Sequence, residues 1–216
     1  MLQCQKRRGP GTRFAGQRKF AMSVLAGRRK LEKTMQIRGA FNLESWIEKN
    51  LPKSLGAIGN REIFKNSDFI IQIIKGPNAR NDFHIDPWDE IFYQLHGHIF
   101  VHTLENGRQS AHRINEGEMF FLPKNVFHSP RRPPGSVGLV IERPRTEGEE
   151  DGIAWFCEKC GHMLHRVDFW CSDIEVTFGR HIAEFNANEA LRTCKRCGEI
   201  LPDPTKIDHW AGDAWR

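Results

Sequence analysis

A mainly β domain followed by a small metal-stapled unit is the architecture the sequence predicts, and three observations carry it. Between Arg61 and Glu142, short apolar runs recur, punctuated by Gly76-Pro77-Asn78, Asn106-Gly107 and Glu116-Gly117. Many short strands with turn residues between them make a barrel or a sandwich. Within that stretch His84, Glu90 and His128 stand in a frame of glycines and prolines. Beyond it come two Cys-x2-Cys pairs, Cys157/Cys160 and Cys194/Cys197.

The N-terminal 34 residues hold ten Lys or Arg against one acid, Glu32, whereas the other 182 hold 22 basic and 26 acidic side chains. The overall charge of +5 therefore belongs to the extension. The body is mildly acidic and offers no basic face to phosphates, which argues against a nucleic-acid partner. Residues 1–34 have few large apolar side chains and no helical stripe, and read as disordered. Three accounts of them stand side by side: an upstream-start artefact with Met35 or Met22 as the first residue, an Arg-rich organelle transit peptide, or a genuine basic arm. A secretory signal is excluded, because no continuous apolar run comes after the charges. No stretch approaches the ~20 apolar residues of a membrane span. The expectation is a cytoplasmic protein without a membrane partner, organelle targeting by the extension left open.

The folded sequence is expected from Met35. Phe41-Asn42-Leu43-Glu44-Ser45-Trp46 reads as a helix start, with Asn42 as the cap and Phe41 and Trp46 as a hydrophobic staple. Pro52 ends that helix by Asn50. Strands are expected at Glu62–Lys65, Phe69–Lys75, Glu90–Leu95, His98–Leu104, Gln109–Ile114, Glu118–Leu122 and Ser136–Glu142, and Asn106-Gly107 suits a two-residue hairpin. Arg143–Gly152, with its acidic run, reads as an exposed linker. A second unit runs from Ile153 to about Pro204, so the division is 1–34, 35–150 and 151–216.

His84 and Glu90 lie six apart across a bend containing Pro87, and His128 comes after Gly117-x5-Pro123-x4. Alternate residues of a barrel strand face inwards, so all three can converge. Two imidazoles and a carboxylate are the facial set that leaves about three positions open on Fe(II). Such a metal can hold an organic substrate and O2 together, which points to oxygenase chemistry. His98, His102 and His112 read as structural or exposed, because the triad is complete without them.

The spacing resembles the cupin superfamily, whose motifs centre on His-x-His-x(3–4)-Glu-x6-Gly and Gly-x5-Pro-x-Gly-x2-His. Here the first motif keeps His84 alone of its histidine pair, with Asp86 two residues on, and the second reads Pro123-Lys124-Asn125. A three-ligand site is what these departures imply. Gly76-Pro77-Asn78-x-Arg80, His84-x2-Pro87-x2-Glu90-x2-Tyr93-Gln94, His128-Ser129-Pro130-x-Arg132-Pro133 and Leu139-Val140-Ile141-Glu142-Arg143 narrow the resemblance to the 3-hydroxyanthranilate 3,4-dioxygenases, from about Phe41 to Pro202. The resemblance implies iron ligands at His84, Glu90 and His128, substrate contacts at Arg132 and Glu142, and an arginine beside the oxygen site at Arg80. By composition alone Arg132 would be a surface member of Arg131-Arg132, and Glu142 a strand-end charge. The implied reaction opens the ring of 3-hydroxyanthranilate with O2 to 2-amino-3-carboxymuconate semialdehyde, the source of quinolinate and NAD in tryptophan breakdown. Family members are commonly dimers, so a homodimer is expected.

The two cysteine pairs are 33 residues apart, and each second cysteine is followed by a glycine. That suits a tight knuckle, and four thiolates so presented make a tetrahedral site for zinc or iron. A disulfide pair is the alternative, and would need an oxidising compartment. The resemblance implies a rubredoxin-like site, with structural work for a segment expected to be too short for a core of its own. His162 and His165 read as neighbours of the metal or as exposed, and Cys4 and Cys171 as free thiols. Two rival functions remain: another cupin metalloenzyme (an isomerase or a different dioxygenase), and a non-enzymatic zinc-ribbon regulator. Arg80, Arg132 and Glu142 argue against the first, and the acidic body against the second.

Overall fold

The computed structural model describes residues 39–51, 60–171 and 174–206, so Met35, Cys4 and the expectations for residues 1–34 lie outside the described residues. The helices and sheets of the described residues all fall within the unit Leu43–Arg216.

A helix, α1 (Leu43–Asn50), starts directly after Asn42, within the expected bounds. Among the described residues, eleven antiparallel strands come next, in two sheets. One has the order β1 (Asn60–Glu62), β2 (Ile70–Lys75), β9 (Val137–Glu142), β4 (Glu90–His96) and β7 (Met119–Leu122). The other has the order β11 (Met163–Phe169), β10 (Asp151–Phe156), β3 (Phe83–Ile85), β8 (Phe127–Arg131), β5 (His98–Glu105) and β6 (Arg108–Asn115). The expected mainly β architecture is thus present. Alternation along the strands sends Phe92, Leu122 and Val140 of the first sheet against Ile99, Val101 and Ile114 of the second, forming the core between them. On the opposite face of the first sheet, Ile73 and Val137 pack under Ile47 of α1. Asn106 and Gly107, at φ 50° and 74°, make the expected two-residue turn between the opposed Glu105 and Arg108.

Three expectations need correction. The strand placed at Glu62–Lys65 is Asn60–Glu62, because Ile63 turns under α1 and Asn66 bends the chain at φ 59°. The exposed linker at Arg143–Gly152 is only partly one. Arg145, Asp151 and Gly152 are buried, and β10 begins at Asp151 and pairs with β3 on one side and β11 on the other. The barrel sheet therefore runs straight through the expected boundary at 150/151. Nor does the C-terminal part lack a core: a helix, α2 (Ile174–Ala187), packs Phe178, Ile182 and Phe185 onto Ile153, Trp155, Phe169 and Leu201. A short helix α3 (Glu189–Arg192), capped by Asn188, leads into the second cysteine pair.

Candidate active site

β3 and β8 are neighbours, and their register sets His84 directly opposite His128. Opposed residues of an antiparallel pair project from the same face, and the two rings lie 4.9 Å apart. Glu90 opens β4 in the other sheet, where Glu90, Phe92 and Gln94 are the buried alternation. Its Oε1 lies 2.9 Å from His128 Nε2 and 3.9 Å from His84 Nδ1. All three side chains are buried, and their ligand atoms lie within 4.8 Å of one another.

The donor set fits a divalent transition metal. Glu90 Oε1 is buried without a hydrogen-bond donor of acceptable geometry among the described residues. His84 Nε2 is 2.7 Å from Asp151 Oδ1, and His128 Nδ1 is 3.0 Å from the Val126 carbonyl. With protons on those nitrogens, His84 Nδ1 and His128 Nε2 aim lone pairs at Glu90. Tethering the outer N–H in this way is how metal-binding imidazoles are oriented. Burial lowers the pKa of His84 and keeps the ring neutral. Burial disfavours charge on His128 too, but the Glu90 carboxylate outweighs it and raises the pKa. Glu90 is held at about 2, against its own burial, chiefly by His128. A cation at His128 Nε2 competes with the proton that Glu90 favours there.

The triad lines a cavity, partly open to solvent, together with Arg80, Arg132, Glu142, Asn60, Gln72, Asn78 and Phe178. All six residues singled out for the barrel site therefore converge. Arg132 is 1% exposed, and neither terminal nitrogen of its guanidinium has a hydrogen-bond partner among the described residues. Burial, then repulsion from Arg80, lowers its pKa to about 9. A buried cation with unused donors is costly unless an anion meets it. Its backbone is clamped by Asn78, whose Oδ1 accepts from Arg132 N at 2.8 Å and whose N donates to Arg132 O at 3.1 Å. Arg80 donates through Nε to Asp82 Oδ1 at 3.0 Å and through Nη2 to the other oxygen of that fully buried carboxylate. Glu142 accepts from Gln72 Nε2 at 3.1 Å and from Arg145 Nη1 at 2.6 Å. Burial raises its pKa, with Arg145 pulling the other way.

Sequence reasoning did not find Gln72, Asp82, Phe178, Arg145 or Asp151. Gln72 had a visible signal, a lone amide within Ile70-Ile71-Gln72-Ile73-Ile74. Phe178 had none, since its ring reaches His84 edge-on at 4.6 Å from a helix far along the chain. Asp86 and Asp151 also cluster with His84. The cation already between those carboxylates is the Arg145 guanidinium, which contacts both. Among the other histidines, His102 is buried beside Gln109, His112 stacks on Phe120 and His165 on Trp155.

The four cysteines gather as expected. Cys157 and Cys197 lie 3.6 Å apart, as do Cys160 and Cys194. Gly161 and Gly198 adopt φ 68° and 77° and donate to the Cys157 and Cys194 carbonyls, so each knuckle needs the residue that tolerates positive φ. Cys171 is a half-buried free thiol, pushed up to about 12 by burial.

Known proteins resemble this chain in sequence. A family model described as 3-hydroxyanthranilic acid dioxygenase matches residues 35–186. A Bacillus cereus 3-hydroxyanthranilate 3,4-dioxygenase is 42% identical over 83% of this chain and 98% of its own length. A Shewanella woodyi protein of the same name is 41% identical over 79% of this chain and 91% of its own. Among solved structures, a cupin-2 domain protein from Shewanella frigidimarina aligns over 48% of this chain and 94% of its own, at 20% identity and a TM-score of 0.38.

Proposed function

The chain belongs to the 3-hydroxyanthranilic acid dioxygenase family, and from that premise we propose that it cleaves 3-hydroxyanthranilate with O2 to 2-amino-3-carboxymuconate semialdehyde. The product closes without an enzyme to quinolinate, a precursor of NAD. One observation carries the substrate assignment: the free, buried guanidinium of Arg132 beside the His84–Glu90–His128 set. A planar cation with two parallel donors suits a ring carboxylate.

His84, Glu90 and His128 would hold Fe(II). The bound iron would supply open positions where an aminophenol and O2 meet, and a route for ring electrons to reach O2. Arg132 orients the substrate by its carboxylate. Glu142, steadied by Gln72 and Arg145, accepts a hydrogen bond from the substrate's amine or hydroxyl and fixes the rotation of the ring. Arg80 has Nε and Nη2 committed to Asp82, which leaves Nη1 to stabilise negative charge that develops as O2 is reduced. Phe92, Val140 and Phe178 exclude water from the face of the ring. Cys157, Cys160, Cys194 and Cys197 would hold a second iron or zinc with no open position. A homodimer in the cytoplasm completes the reading.

The test is anaerobic Fe(II) loading of the purified protein, then addition of O2 and 3-hydroxyanthranilate with absorbance detection of the semialdehyde. Iron-dependent formation of the product is expected. An iron-loaded protein that leaves the substrate untouched overturns the assignment. Isomerase or other dioxygenase chemistry on a substrate without an anionic group would not call for an unpaired arginine at the position of Arg132.

A further inference from the structure

Arg145 lies outside both ligand motifs and outside the cavity lining, yet its side chain is only 1% exposed. Nε donates to Asp151 Oδ2 at 2.8 Å. Nη1 donates to Glu142 Oε2 at 2.6 Å and to the Arg143 carbonyl at 3.1 Å. Nη2 donates to Asp86 Oδ2 at 2.6 Å and to Asp151 Oδ1. A guanidinium has five N–H donors in one rigid plane, and an acceptor stands opposite each.

Two of the acceptors reach the site. Asp151 Oδ1 also accepts from His84 Nε2 at 2.7 Å, and Glu142 faces the cavity. They arrive from different sheets: Glu142 closes β9, and Asp151 opens β10. We propose that Arg145 is a positioning residue that sets the Glu142 carboxylate and the His84 imidazole in one mutual geometry, so that a single side chain registers the substrate's polar edge to a metal ligand. This deepens the proposed dioxygenase function and rests on it. Geometry and charge can be separated, because lysine keeps the charge but has three donors on a flexible stem and cannot span three carboxylates.

The experiment compares Arg145→Lys, Asp151→Asn and Glu142→Gln with the parent protein by two readouts. The first is affinity for Co(II), a probe for the nitrogen–oxygen site, tracked by its weak visible absorption; cobalt on thiolates is told apart by intense sulfur-to-metal bands. The second is anaerobic binding of 3-hydroxyanthranilate to the metal-loaded protein. Asp151→Asn is expected to weaken cobalt by about 10- to 100-fold, with a smaller effect on the aromatic acid. Glu142→Gln is expected to do the reverse. Arg145→Lys is expected to weaken both, each by about tenfold or more, while the far-ultraviolet circular dichroism stays native. An Arg145→Lys protein that unfolds earlier yet binds both ligands as the parent does has lost only a structural ion pair, and that result overturns the proposal. So does a shift in one readout alone. Should Arg145→Lys fail to fold, Asp86→Ala removes a single arm; parental values of both affinities there count equally against the proposal. If the parent binds cobalt but not 3-hydroxyanthranilate, the dioxygenase reading fails, and an unchanged cobalt affinity in Arg145→Lys then decides against the Arg145 role.

Discussion

The main-chain N–H of Asn125 donates to the carbonyl of Asp86 at 2.8 Å, joining the two ligand motifs by a backbone hydrogen bond. Asn125 sits at φ 63°, where the cupin pattern has glycine, and asparagine is the residue next most tolerant of that region. Asn125→Gly should therefore stay within about 0.5 kcal/mol of the parent, while Asn125→Val should lose about 1–2 kcal/mol. Urea unfolding of the three proteins separates these outcomes.

Arg132→Met should raise KM for 3-hydroxyanthranilate about 100-fold, because charge-assisted hydrogen bonds are each worth about 1.5–3 kcal/mol. The same change should not lower the thermal midpoint of the metal-free protein, since it removes a buried cation with no internal partner. Unchanged substrate affinity in this variant would sink the carboxylate-fork assignment.

Asp82→Asn should act through Arg80. The buried carboxylate takes two donors from that guanidinium, and an amide cannot accept both. A guanidinium that drifts loses an interaction made as charge develops, so kcat should fall about tenfold with KM nearly constant. A rise in KM at constant kcat would assign Arg80 to ground-state binding instead.

The metal-free protein should be most stable in mildly acidic solution. Glu90 titrates at about 2 when folded against an ordinary 4.5, so its contribution is present above about 4.5 and is lost as pH falls through 2. His128 is raised above its ordinary 6.5, so its contribution is complete below that value and is lost as pH climbs through the folded pKa. On either flank one proton corresponds to at most about 1.4 kcal/mol per pH unit. Loading Fe(II) should abolish the alkaline loss, because the metal takes the place of the His128 proton. Thermal melts against pH, with and without metal, check both flanks.

Cys194→Ser should remove one metal per chain and lower the midpoint by roughly 10 °C, while kcat stays within about threefold. Metal analysis, a melt and a rate measurement on one preparation suffice. A collapse in kcat at an unchanged midpoint would mean that the cysteine set has more than a structural part.

The convergence of His84, Glu90 and His128 was legible because barrel strands impose fixed spacings on inward residues, and that of the four cysteines because knuckles are local. β2, β4, β5, β6, β7 and β9 were legible as short segments punctuated by turn residues such as Gly76, Asn106-Gly107 and Gly117. β3 and β8 were harder. β3 is three residues long, too short for a period, and β8 contains Pro130, which its short neighbour β3 lets it accommodate. Arg145 and Asp151 were hidden by their company, the exposed Glu147 and Glu150. A charged residue in an acidic loop looks the same in sequence whether it faces solvent or a buried imidazole. Only the pairing of β10 with β3 tells the two apart.

That pairing has a consequence for the order in which the molecule is made. His84 is held between two strands that are synthesised long after it, with His128 of β8 on one side and Ile153 of β10 on the other. A chain leaving the ribosome can pair β1 with β2 and β4 with β7 before β9, the strand between those pairs, has emerged, and His84 lacks its second neighbouring strand until nearly three-quarters of the protein has been made. Long-range closure of this kind is slow, and it delays the assembly of His84, Glu90 and His128 until both walls of the cavity exist.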